Sequence, residues 1–200
     1  MSSAATVPGN QPLLCQSLFE VKNKSSALFR ENQQYGPIET ISYFNCNKEN
    51  LLDYEVLLRT NTSKDHGLMK DCVYKITAKA MFLNIKSKAP VLNYFPERAV
   101  KISASKHFMG TTVDDASFFG VGLILSFKKE TEDDNPRYGP CLMAIVSHSH
   151  WDPVVVKSFK VKYCVPSSPH LIKTHSMLRE NKEFFFDGIL VGWEMEENKI

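Results

Sequence analysis

From Pro37 onward the chain alternates between short runs of apolar or alternating residues and polar clusters that favour turns. Val100, Ile102 and Ala104, for example, are separated by polar residues, which is the period of two of a half-buried β-strand. The same pattern predicts strands at residues 39–44, 54–60, 72–83, 99–105, 118–128, 141–147, 159–165 and 184–194. Residues 1–36 carry few regularly spaced apolar positions and predict a flexible arm with at most one short element, at Leu13 to Val21.

Helical spacing of apolar residues is found in one segment, residues 169–181, where Leu171, Ile172 and Leu178 recur and Ser168 can cap the first turn. Long helices do not alternate with the predicted strands, so a parallel βαβ architecture is not expected. We therefore predict an all-β fold, either an antiparallel barrel or a β-sandwich, with one short helix near residues 169–181.

Composition indicates a folded chain without a strong charge bias. The 200 residues are 43% hydrophobic and 11% aromatic, enough for a sizeable core, and the formal net charge is +2. No apolar run has the length of a membrane helix, and the N-terminus lacks the charged and apolar regions of a signal peptide. We expect an intracellular protein of the cytoplasm or nucleus, without a membrane partner. Its predicted parts are the arm (1–36), a β-rich module (37–110) and a barrel-like module (111–200), or one continuous domain over 37–200.

Two glycines, Gly120 and Gly122, flank Val121 within a predicted strand. A dinucleotide-binding loop needs a third glycine and a following helix, and neither is present in the sequence. This pair predicts a bulge or a close approach of neighbouring chain.

Lysines and aromatic residues are interleaved in the segment 151–165. Lysines neutralise phosphates and aromatic rings stack on bases, so this composition is typical of single-stranded nucleic-acid binding. The candidate binding residues are Trp151, Lys157, Lys160, Lys162 and Tyr163. An amphipathic strand with its aromatic face in the core has the same pattern, because a period of two puts the aromatic residues and Lys160 and Lys162 on opposite faces. A second basic set could extend the same groove: Lys75, Lys79, Lys86, Lys88, Arg98, Lys101 and Lys106.

An apolar strand runs directly into His148, His150 and Asp152. This His-x-His-x-Asp spacing resembles the metal-binding signature of the metallo-β-lactamase superfamily, which implies zinc and hydrolysis, with the two histidines on one metal and Asp152 on the second. Pro153 stands where that signature has a further histidine, and a strand is predicted where that family has a helix. The alternative is a strand end followed by a turn with exposed histidines.

The C-terminal part resembles known folds in a second way. Its predicted strands, followed by the glycine-kinked run from Phe186 to Leu190, are similar to part of an oligonucleotide/oligosaccharide-binding (OB) fold. The His-Ser-His-Trp-Asp-Pro stretch and the segment after it are also similar to a set of basidiomycete fungal proteins that has no established activity. The resemblance implies an OB-like barrel over residues 110–200.

These observations favour a binding protein without catalysis, cofactor or metal, whose partner is single-stranded nucleic acid. The first alternative is a protein-interaction module that uses Trp151 and the run from Phe184 to Phe186, and the second is the zinc hydrolase.

Overall fold

A computed structural model describes residues 10–30, 32–46, 51–82, 88–131, 139–150 and 157–192. Over these ranges the chain is all-β, as predicted, with one α-helix. The strands are β1 (Leu13–Val21), β2 (Ser26–Ala27), β3 (Tyr35–Cys46), β4 (Leu52–Ser63), β5 (Cys72–Met81), β6 (Val91–Ala104), β7 (Ser117–Glu130), β8 (Cys141–His150), β9 (Lys157–Pro166) and β10 (Glu183–Ile189). Helix α1 spans Ile172–His175, a single turn within the predicted helical segment. None of the helices in the described ranges could span a membrane.

All eight predicted strands are present, and the element predicted at Leu13 to Val21 is β1. The first half of β6 escaped prediction because Pro96, Glu97 and Arg98 interrupt the apolar alternation there. Strand β10 ends at Ile189, so residues 190–192 of the predicted run 184–194 are not in a strand, and residues 193 and 194 lie outside the described residues.

The chain divides into two compact units. We call them the β8–β9 unit, made of Met1–Leu13 and Gly120–Phe186, and the β3–β6 unit, made of Leu14–Phe119 and Asp187–Ile200. This division differs from the predicted boundaries at residues 36 and 110, which stay predictions.

In the β3–β6 unit the strands are ordered β2-β3-β4-β6-β5-β1. The β3–β4 and β5–β6 pairs are antiparallel hairpins, and β4 pairs with β6 in parallel over three residues, Leu57 to Arg59. The buried rings of Phe19, Phe44 and Phe118 contact one another at centroid distances of 5.5 and 5.7 Å and form the centre of this unit's core.

In the β8–β9 unit the order is β7-β8-β9, and β10 pairs with β7. Two backbone hydrogen bonds join Ile124 of β7 to the segment just before β10. The Ile124 amide donates to the Lys182 carbonyl, and the Ile124 carbonyl accepts from the Asn181 amide. The core of this unit is formed by Ile124, Leu142, Ala144, Val146, Leu178 and Phe186. Among the described residues the ladder of this unit ends at β9 without closing, and that of the β3–β6 unit ends at β2.

Candidate nucleic-acid interface

The β8–β9 hairpin has two chemically different faces. Its ten residue pairs are in regular antiparallel register without a bulge, so residues directly opposite one another share a face. On the inner face Phe159 lies opposite His148 and Val161 lies opposite Val146. Phe159, His148 and Val146 are buried. This face is therefore the core side of the hairpin.

The outer face carries the predicted lysines. Lys160 lies opposite Ser147 and Lys162 lies opposite Ile145, and both lysines are exposed. The two positions are about 6.6 Å apart along the strand, at 3.3 Å per residue. Because the inner face of β9 is packed, the backbone that carries these charges is held in place.

A third lysine on this side escaped prediction from the sequence. Lys128 of β7 lies opposite Met143, and Met143 lies opposite Cys164 of β9, so the side chains of all three share the outer face. Lys128 is exposed. Glu130, also on this side and half-buried, is the neighbouring carboxylate. Regular alternation along β7 would put Lys128 on the side of the buried Ile124, and the register break between Ile124 and Ser126 moves it to the outer face. Its place on this surface therefore follows from the strand pairing and not from the sequence pattern.

Tyr163 does not share the surface of Lys160 and Lys162. Its ring stacks on Phe186 with centroids 4.4 Å apart, and its hydroxyl donates to Nε2 of His148 over 3.0 Å. Burial raises the pKa of the Tyr163 phenol, which therefore stays protonated. The structure thus places this predicted stacking residue in the packing of the inner face.

His148 is fully buried, and both of its ring nitrogens are hydrogen-bonded. Nδ1–H donates to the Val121 carbonyl at 2.9 Å, and Nε2 accepts from Tyr163. Burial lowers the pKa of the imidazole, against the raising effect of the hydrogen bond to Val121. With both nitrogens occupied, the ring has no lone pair directed at a metal.

The structure describes the remaining candidate residues only in part. Lys157 lies in β9 opposite His150 of β8, but the side chains of both are outside the described atoms, and Trp151 and Asp152 lie outside the described residues. Within the described ranges no three His, Cys, Asp or Glu side chains are grouped as a metal site would require.

The glycine pair is explained by close packing, as predicted. A Cβ on Gly122 would collide with Val146 and lie 2.7 Å from Cε1 of His148, so the absence of a side chain there makes room for the buried imidazole. In the run from Phe184 to Phe186, Phe186 is buried, Phe184 is half-buried against the core, and Phe185 is 66% exposed.

No protein-family model matches the chain, and no curated protein matches its sequence. Among solved structures it is similar to a crystal structure of a deletion mutant of the single-stranded DNA binding protein from Thermus aquaticus. The similarity has a TM-score of 0.52 at 8% sequence identity and covers 90% of this chain and 86% of that chain. At this identity the comparison shows the fold, an OB-like arrangement of strands, in agreement with the predicted fold class.

Proposed function

We propose that the protein is a non-enzymatic binder of single-stranded nucleic acid, and that Lys160 and Lys162 of β9 contact the phosphates. The observation that carries this proposal is the pair of exposed lysines on the outer face of β9, whose inner face is locked into the core. The fold similarity to a single-stranded DNA binding protein supports it.

The physical basis is the neutralisation of phosphates by cations fixed on a sheet. Each neutralised phosphate of a single strand releases condensed counterions, so the logarithm of the binding constant falls with the logarithm of salt concentration by about 0.7 per contact. Lys128 adds a third described cation to this surface. Trp151 keeps its proposed role as the stacking residue beside the lysines, because Tyr163 is engaged by Phe186 and His148.

The test is fluorescence anisotropy of a labelled 20-nucleotide single strand of mixed sequence, titrated with the full chain at several salt concentrations beside a duplex control. We expect saturable binding that prefers the single strand. Lys160→Ala with Lys162→Ala should reduce the salt slope by about 1.4.

A matched control removes the same charge elsewhere in the β8–β9 unit. Lys173 of α1 and Lys182, just before β10, are also exposed, and their double alanine variant should keep the parent slope. Equal salt slopes for the parent and the variant without Lys160 and Lys162 would show that these two lysines do not contact the phosphates. Absence of saturable binding by the parent at tens of micromolar protein would overturn the proposed function.

A second candidate function is protein contact, which the 66% exposed ring of Phe185 in β10 favours. A large exposed ring beside two inward neighbours is a typical anchor for a partner. Sedimentation of the parent and of Phe185→Ala tests it for self-association: a parent oligomer that Phe185→Ala dissociates would support it, whereas a monomeric parent would leave Phe185 without that role.

A further inference from the structure

The β3–β6 unit carries a second basic surface, on β5. Lys75, Thr77 and Lys79 alternate with the buried residues Ile76 and Ala78, so the three share the outer face of the strand. Lys75 and Lys79 are four residues apart, or about 13 Å along the strand. The midpoint between them is Thr77, whose hydroxyl accepts a hydrogen bond from the Gln16 amide at 3.3 Å.

The neighbouring strand, β6, breaks its register at this midpoint. Ile76 pairs with Ala99, but Ala78 pairs with Tyr94, so two steps along β5 correspond to five along β6. The four residues 95–98 lie opposite the single residue Thr77 and form a bulge. Pro96 suits this place because an unpaired position needs no backbone N–H donor.

The first residue of the bulge, Phe95, is an exposed aromatic residue. Asn93 lies opposite Lys79 and so shares its face, and Phe95 follows Asn93 by two residues. Phe95 is 66% exposed, whereas the adjacent Tyr94 is buried. A phenylalanine this exposed contributes little to the core, while the buried tyrosine anchors the start of the bulge.

The charge around this ring is predominantly positive. Lys75 and Arg98 are exposed, Lys79 is half-buried, and Glu97 of the bulge is the one carboxylate among residues 95–98. An aromatic ring flanked by cations on a β-surface is the arrangement that binds a polyanion with planar bases.

We propose that Phe95 is a base-stacking residue of a second contact for single-stranded nucleic acid, with Lys75, Lys79 and Arg98 binding the flanking phosphates. This inference rests on the proposed function and extends it to the β3–β6 unit. Since stacking involves no counterion release, Phe95 sets affinity without setting the salt slope, unlike the lysines of β9.

The test uses the full chain with Phe95→Ala and Phe95→Trp, and the same labelled 20-nucleotide strand. Phe95→Ala should weaken binding about 5- to 150-fold, the range for loss of one stacked base, with the salt slope unchanged. Phe95→Trp should bind at least as well as the parent, and its fluorescence should be quenched by the strand beyond the response of the two natural tryptophans. The control is Tyr35→Ala, which removes a ring of similar exposure, 61%, from β3 and should bind like the parent.

The outcomes separate this inference from the proposed function. If the parent binds and the β9 lysines set its slope, but Phe95→Ala binds within about twofold of the parent, the inference alone is overturned. A loss with Phe95→Ala and an unchanged slope on removal of the β9 lysines would support the Phe95 site and overturn the β9 site.

Two further results would overturn the stacking role. One is a salt slope that changes with Phe95→Ala as it does with a lysine variant. The other is an effect of Phe95→Ala on self-association in sedimentation with no effect on binding, which would assign the ring to protein contact. A parent that binds no single strand overturns both proposals.

Discussion

The phenol of Tyr163 and the imidazole of His148 form a hydrogen-bonded pair across the inner face of the β8–β9 hairpin. The Tyr163 hydroxyl donates to Nε2 at 3.0 Å, and the other imidazole nitrogen donates to the Val121 carbonyl at 2.9 Å. This arrangement requires a neutral imidazole that carries its proton on Nδ1. A polar group inside the core is thereby satisfied at both ends.

Removal of the Tyr163 hydroxyl should destabilise the protein. Tyr163→Phe keeps the ring stacked on Phe186 but leaves Nε2 of the buried His148 without its donor, at an expected cost of about 1–3 kcal/mol in the free energy of unfolding. Urea denaturation measures this cost. Because Tyr163 lies on the inner face, the salt slope of nucleic-acid binding should not change.

The matched control for this variant is Tyr35→Phe. The Tyr35 hydroxyl donates to the Asn61 carbonyl, but the residue is 61% exposed, so water replaces the lost bond. Equal urea midpoints for the two variants would show that the bond between Tyr163 and His148 adds nothing to stability.

Burial of His148 should make the fold sensitive to acid. Its pKa is lowered from 6.5, chiefly by burial, so between the lowered value and 6.5 the unfolded chain binds a proton that the folded chain excludes. Stability due to this group is therefore present above pH 6.5 and is lost as the pH falls below it, by at most about 1.4 kcal/mol per pH unit. Thermal unfolding of the parent and His148→Gln between pH 7.5 and 5 tests this, since the glutamine cannot titrate and should give the flatter profile.

A measurement on the parent makes this prediction independent of how the variant folds. In the folded protein, the NMR signals of His148 should keep the neutral form as the pH falls just below 6.5, because burial lowers the pKa of its imidazole. A titration midpoint for His148 at or above pH 6.5 would contradict the prediction.

The fold class could be predicted because strands of period two leave a direct mark on the sequence. The short element predicted at Leu13 to Val21 is β1, and the runs predicted at 141–147 and 159–165 located the β8–β9 hairpin. The first half of β6 could not be predicted, since Pro96 is tolerated only because the chain bulges there, and the bulge depends on pairing with β5. The helix predicted at residues 169–181 is a single turn, α1, in the structure. A helix this short gains little stability from the spacing of its apolar residues.

The candidate site could be predicted only in part. Alternation was sufficient to separate Lys160 and Lys162 from Phe159 and Tyr163, and the structure shows this separation. The exposed ring in β6 was not evident from the sequence. Phe95 is 66% exposed because it lies in the bulge of β6, and that bulge depends on pairing with β5, whereas Phe159 is buried in a regular hairpin. The His-x-His spacing likewise did not reveal that His148 points into the core, where Gly122 makes room for it.

Gly120 should tolerate no side chain, because the atoms it approaches belong to the backbone. A Cβ at this position would overlap the carbonyl oxygen of Pro12 and lie 3.2 Å from Cα of Leu13, and neither atom can move aside by rotating a side chain. We expect Gly120→Ala to cost about 1–3 kcal/mol in the free energy of unfolding, the range for overpacking a close contact. Gly188→Ala is the control, because a Cβ there meets nothing within 4 Å. This variant should be neutral or should stabilise the protein by up to about 1 kcal/mol, since alanine lowers the conformational entropy of the unfolded chain. Urea denaturation of the two variants beside the parent measures the difference, and equal midpoints for both would show that Pro12 and Leu13 are not held against Gly120 in solution.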